Sequence, residues 1–143
     1  MKKLFSALCA SVICLCGSSM YAFADEGETP GDDPVIPEYL YTASIESELS
    51  IDSSGNATGR SAVYGNPDLV TKIVTYQYLQ WYTGFTWMSV GNNSDTSYSW
   101  YSISQFPYTI TLQGKYRIRT VADVYCGNSY ETVDCNSTVV RYP

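Results

Sequence analysis

The chain has no histidine among its 143 residues. That absence rules out Ser–His and Cys–His nucleophile pairs and removes zinc's commonest ligand. Positive charge is scarce as well, with eight Lys and Arg against fourteen Asp and Glu, a net charge of −6. Nucleic acid and anionic lipid both demand clustered basic side chains, so composition points away from both. Long apolar runs are missing beyond Leu4 to Cys16, and that stretch falls short of the roughly twenty residues a membrane-spanning helix needs. No segment carries a convincing helical period. The acidic pairs Asp25/Glu26 and Asp32/Asp33 lack the regular spacing of a calcium loop, so neither a metal nor a cofactor is expected.

What is present begins with an export signal. Lys2 and Lys3 precede the apolar stretch, Gly17 to Ser19 follow it, and Ala22-Phe23-Ala24 offers a cleavage site, which assigns residues 1–24 to a signal peptide. Cys9, Cys14 and Cys16 follow Leu8, Ile13 and Leu15, whereas a lipid anchor needs a small residue before the cysteine. Cleavage takes two lysines and no acid, leaving six basic residues against fourteen acidic ones, a charge of −8 on 119 residues. No wall-anchoring motif follows the domain, so release outside the cell, without membrane insertion, is the expectation. Residues 25–38, DEGETPGDDPVIPE, are acidic and rich in Pro and Gly, and read as a disordered linker.

From residue 39 to 143 the composition turns to Tyr, Thr, Ser, Val and Ile in short alternating runs broken by Gly, Asn and Pro. Tyr41, Ala43, Ile45, Leu49 and Ile51 share one parity, opposite Glu46 and Glu48. Ser53-Ser54-Gly55-Asn56 predicts a turn, Ala57 to Tyr64 a second strand, and Thr71 to Tyr82 a long third one. Thr83-Gly84 reverses into Thr86 to Val90, Gly91 to Asp95 reads as a loop, and a strand from Tyr98 to Ile103 is followed by a break at Pro107. Tyr116, Ile118, Thr120, Ala122 and Val124 alternate with Lys115, Arg117, Arg119 and Asp123. Gly127-Asn128 then turns the chain into a last strand, Tyr130 to Val140. About seven short antiparallel strands argue for a two-sheet β-sandwich.

The stretch Ile110-x-Leu112-x-Gly114-x-Tyr116-x-Ile118, followed by Ala122, resembles the corner leading into the penultimate strand of immunoglobulin-like and fibronectin-like sandwiches, with Tyr116 as the corner tyrosine. Over roughly Tyr41 to Tyr142 the chain is also similar to a group of small exported proteins of Gram-positive bacteria whose own function is uncharacterised. Thr71-Lys72-Ile73, Leu79-Gln80, Trp87-x-x-Val90, Gly114-Lys115-Tyr116-Arg117 and Glu131-Thr132-Val133 carry this resemblance. It implies a fold and an extracellular compartment, and departs from the group in Cys126 and Cys135.

Those two cysteines are the only thiols left after cleavage, and a pair in an exported protein usually forms a disulfide. A two-residue turn at Gly127-Asn128 would instead hold them about 20 Å apart, so a bridge requires that segment to be a loop. Two cysteines without histidine are too few for a metal. Glu46 and Glu48 lie on a wet strand face in a domain too small for a deep cleft, so no catalytic residue is assigned and the protein is not expected to be an enzyme. Asn56-Ala57-Thr58, Asn92-Asn93-Ser94 and Asn136-Ser137-Thr138 fit glycan acceptors but serve equally as turn residues.

The aromatic content is the remaining candidate. With Ile73, Leu79 and Trp81 inward, Val74, Tyr76, Tyr78 and Tyr82 face outward beside Arg117 and Arg119, and Trp87 and Trp100 are placed to extend that face. Such a surface suits an extracellular protein or a polysaccharide, since tyrosine joins a flat apolar body to a polar tip. The alternative is that Tyr and Arg merely cover one another across strands. The reading is a secreted, non-enzymatic binding module. A carbohydrate-binding domain stacking sugars on Tyr76, Tyr78, Trp81 or Trp87 is the second expectation, and a secreted toxin or antimicrobial the third.

Overall fold

The computed structural model describes residues 39–143. The signal peptide assigned to 1–24 and the linker assigned to 25–38 lie outside the described residues. Eight strands follow in order: β1 (Thr42–Ile51), β2 (Asn56–Gly65), β3 (Lys72–Tyr82), β4 (Trp87–Ser97), β5 (Tyr101–Thr109), β6 (Gly114–Cys126), β7 (Ser129–Asn136) and β8 (Val140–Tyr142). All pair antiparallel, in one sheet of order β1-β2-β5 and a second of order β4-β3-β6-β7, where β8 also pairs with β6. The chain crosses between sheets after β2, β4 and β5, an immunoglobulin-like arrangement.

The corner before β6 is built as the resemblance to immunoglobulin-like sandwiches implied. Tyr116 is buried, and its hydroxyl donates to the Leu112 carbonyl at 2.6 Å. Burial first, and Tyr142 second, hold its phenol above the usual range. Tyr116→Phe deletes this bond alone and is expected to lower stability by about 1 kcal/mol, read as a shift in urea midpoint at constant slope. An unmoved midpoint would show that packing, and not the bond, closes the corner.

Four local expectations need correction. Ala43 is exposed and Thr42 buried, because the β1–β2 register shifts between Thr42 and Ser44 and inverts the parity there. Gly91 to Asp95 is strand, not loop. Its polar residues are tolerated because β4 is an edge strand, and at Gly91 a side chain would meet the Tyr108 ring at 3.0 Å. Pro107 sits inside β5, also an edge strand, where a missing N–H breaks no ladder. The last predicted strand divides at Ser137, whose N–H donates to the Ile118 carbonyl at 2.8 Å while its hydroxyl accepts from Ile118 N at 2.9 Å. One serine thus satisfies both backbone groups of Ile118 where β7 gives way to β8.

The core divides into two apolar clusters. One holds Ile45, Val63, Val70, Ile73, Ala122, Val124, Val133 and Cys135; the other holds Leu49, Ala57, Leu79, Ile110, Tyr116 and Ile118. A buried polar belt lies on the same inward faces, with Ser61, Thr75, Gln77, Ser102 and Thr120 almost wholly inaccessible. Its hydrogen bonds have a forced direction. The Ile118 carbonyl can only accept, so Ser47 donates to it (3.3 Å). Thr120 must then donate to Ser47 (3.0 Å) and Ser61 to Thr120 (2.6 Å). Ser61 can take its remaining bond only from the Gln77 amide N–H (2.7 Å), which turns Gln77 Oε1 toward the Tyr108 hydroxyl (3.0 Å). A single carbonyl therefore fixes every proton in a chain that ties both sheets together.

Candidate functional site

The outer face of the β4-β3-β6-β7 sheet collects most of the residues singled out by the sequence. Alternation along β3 buries Ile73, Thr75, Gln77 and Leu79 and leaves Val74, Tyr76, Tyr78 and Tyr82 half-buried on the outside. Tyr78 pairs with Arg119 on one side and Asn92 on the other; Tyr76 lies between Val121 and Ser94; Gln80 pairs with Arg117. Trp87 stands opposite Tyr82, with ring centroids 5.2 Å apart.

The two arginines are already engaged within the sheet. Arg117 Nε donates to Gln80 Oε1 at 2.8 Å, and its guanidinium lies 4.3 Å from the Trp87 ring centroid. Burial, then the neighbouring Arg119 charge, lower its pKa from the usual value, with Asp134 opposing them. Arg119 sends Nε and Nη2 to Asp134 Oδ2 at 3.2 and 3.1 Å. Cross-strand covering thus describes the arginines well. Tyr76 and Tyr78 differ: among the described residues neither hydroxyl has a partner. With Asn92, Asn93 and Ser94 they line a shallow, open depression on the sheet.

Other expected contributors lie elsewhere. Trp81 points to the inner side, where its ring would be 2.4 Å from a Cβ placed on Gly114, and so cannot serve as an outer stacking platform. Trp100 belongs to the other sheet. It lies at the end of the β4–β5 crossover, just before β5, and packs on Tyr64 and Tyr101, at 6.4 and 5.1 Å, so it does not extend the tyrosine face. Cys126 pairs with Ser129 and Cys135 with Thr120, six ranks along one hairpin, and the two are not joined to each other. The two-residue turn at Gly127-Asn128 forms and keeps them about 20 Å apart. Glu48 is committed to an ion pair with Arg60 at 3.4 Å.

One feature was not anticipated. Glu131, at the start of β7, accepts hydrogen bonds from Leu40 N (2.8 Å), Tyr41 N (2.9 Å), Thr42 N (2.6 Å) and Thr42 Oγ1 (2.7 Å). The carboxylate gathers three successive backbone N–H groups and so clamps the entry of the domain to the second sheet. Burial raises its pKa, but the Thr42, Tyr41 and Leu40 bonds outweigh it and hold the carboxyl below its usual range. In the sequence Glu131 is an acid in a strand, with nothing to mark its partners ninety residues away.

The chain matches no family model and no curated protein. Among solved structures it is similar to the CARDB domain of the PF1109 protein from Pyrococcus furiosus, crystallised in complex with di-metal ions. The identity is 17% and the TM-score 0.40, covering 78% of this chain and 100% of that one.

Proposed function

We propose that this domain is an exported, non-enzymatic binding module whose contact surface is the Tyr76–Tyr78 strip with its Asn92 and Ser94 rim. The observation that carries this reading is the contrast between engaged and unengaged groups on one face. Arg117 and Arg119 are satisfied by Gln80, Trp87 and Asp134, while two adjacent tyrosines on the same side of β3 keep unpartnered hydroxyls beside amide and hydroxyl side chains. In this arrangement Arg117 and Arg119 act as positioning residues that stiffen the platform through Trp87 and Asp134.

An aromatic strip with uncharged Asn92 and Ser94 on its β4 side, and with Arg119 on its β6 side neutralised by Asp134, suits a flat, uncharged ligand better than a charged protein surface, which favours an extracellular polysaccharide. Retention of the mature protein on insoluble polysaccharide columns tests it. Tyr76→Ala and Tyr78→Ala are each expected to weaken retention about tenfold or more, as truncation of an aromatic contact residue does. Arg119→Ala should change retention far less. Retention that survives the loss of both tyrosines would move the site off this face.

A further inference from the structure

A second surface lies at the end of the same sheet, away from the Tyr76–Tyr78 strip. The β3–β4 hairpin turns through Thr83-Gly84-Phe85-Thr86, with Gly84 at φ +100° and Thr83 N donating to Thr86 O at 3.0 Å. Thr83 Oγ1 bonds the Thr86 carbonyl at 3.1 Å and accepts from Thr86 N at 3.2 Å, which stiffens the tip. This firm turn presents Phe85 at 97% exposure, so that the ring stands clear of the protein. Leu112, in the β5–β6 loop at the same end, is 56% exposed.

The charges at this end are one-sided. Lys115 pairs with Arg141 across β6 and β8, and Arg117 follows two residues along β6, so three of the six described cations occupy two adjacent rows. Lys115 Nζ is 6.0 Å from the Tyr82 ring and Arg117 lies on Trp87, which layers the cations over aromatic rings. The acids of this sheet are elsewhere: Asp95, Asp123 and Asp134 lie further along their strands, and Glu131 sits near the opposite end. Asp52 is at this end but in the other sheet's turn, where Ser54 N, Asn56 N and Asn56 Nδ2 occupy its carboxylate.

A rigid tip carrying an exposed Phe, backed by Trp87 and Tyr82 and flanked by Lys115 and Arg141, neither of which has an ion-pair partner among the described residues, has the chemistry of an interfacial anchor. Apolar and aromatic groups enter the headgroup region while the cations meet anionic phosphates. We propose that the Phe85 tip, with Lys115, Arg117 and Arg141, docks the domain on the surface of an anionic lipid bilayer. The net negative charge of the chain is no obstacle, because such attraction is local and falls off within a Debye length of about 8 Å at physiological salt.

The test is co-sedimentation of the mature protein with phosphatidylcholine vesicles made with or without phosphatidylglycerol. Binding is expected only with phosphatidylglycerol and should weaken as salt rises. Phe85→Ser is expected to reduce the bound fraction about tenfold, and Lys115→Glu combined with Arg141→Glu to abolish it. All three side chains are exposed, so unchanged thermal midpoints should confirm that the variants fold. No binding, equal binding to both vesicle types, or full binding by Phe85→Ser would overturn the proposal. Loss with the charge reversal but not with Phe85→Ser would assign the patch to a soluble polyanion and not to a bilayer. None of these variants touches Tyr76 or Tyr78, so failure here leaves polysaccharide retention unaffected.

Discussion

Gln77→Ala is expected to lower folding stability by about 4 kcal/mol. Gln77 is fully buried at the middle of β3. Truncation opens a cavity between the sheets, for which large-to-small core changes cost roughly 2–5 kcal/mol. It also leaves the Tyr108 hydroxyl without its acceptor and Ser61 without its donor, each worth about 1–3 kcal/mol when buried. These contributions are not additive, since Ser61 and Tyr108 can partly relax into the space. The Tyr108 phenol is already held above the usual range, by burial first with an opposing bond from Asn93, so it has little freedom to lose its proton and escape.

Gly59 gives an independent check on the same geometry. A Cβ there would come within 2.4 Å of Gln77 Oε1 and 2.8 Å of Ile118 Cδ1, so Gly59→Ala is itself expected to cost about 2 kcal/mol by overpacking. In the Gln77→Ala background one of those two collisions disappears. The double mutant should therefore be more stable than the sum of the singles by about 1 kcal/mol, measured from urea midpoints in a four-member cycle. A Gln77→Ala cost below about 1 kcal/mol, or strict additivity, would mean that the polar belt does not tie the sheets together.

Glu131→Ala is expected to cost about 2–3 kcal/mol, because three backbone N–H groups and the Thr42 hydroxyl lose a charged acceptor together. The pH dependence follows from the direction of its shift. A carboxyl whose folded pKa lies below its ordinary value near 4.5 adds stability that is present above that value and is lost as pH falls through the folded pKa. Acidification below about pH 4.5 should therefore erode the wild type more steeply than Glu131→Gln, which cannot titrate. Asp52 is also held below its usual range, by the Asn56 side chain first and then by backbone N–H groups. It contributes an acid loss of its own, so the measured quantity is the difference between the two stability curves. Parallel curves would show that the Glu131 clamp adds nothing in solution. Hydrogen exchange at Tyr41 and Thr42 should accelerate in the alanine variant while β3 and β6 stay protected.

Local reading of the chain succeeded where one face of a strand is buried and the alternation is clean. β6 is the best case: Tyr116, Ile118, Thr120, Ala122 and Val124 are all buried, and Lys115, Arg117 and Arg119 line the other side. Reading failed where an edge changes the rules. Gly91 to Asp95 has the composition of a loop, and Pro107 that of a break, but an edge strand needs hydrogen bonds on one side only and can carry both. The Ala43 bulge leaves no local mark, because a register shift belongs to the pairing and not to either strand. Thr75 and Gln77 did carry a signal, as polar residues on the buried parity of β3. Their partners Ser102, Ser61 and Tyr108 come from strands that only the crossover topology brings opposite.

The resemblance to immunoglobulin-like sandwiches supplied the corner tyrosine, whereas the sequence by itself determined the all-β class, the antiparallel sandwich and the side of β3 on which Tyr76, Tyr78 and Tyr82 emerge. Each of these follows from alternation and turn chemistry acting over a few residues. Only the tertiary structure decided which side chains on that face are engaged, that Trp100 belongs to the opposite sheet, and that Cys126 and Cys135 stand six ranks apart. It alone assembled the Glu131 clamp and the Gln77 chain, and gathered Lys115, Arg117 and Arg141 beside Phe85. Those outcomes depend on register and on which strand lies next to which. Both are settled by contacts between residues tens of positions apart, where the periodicity of a single strand carries no information.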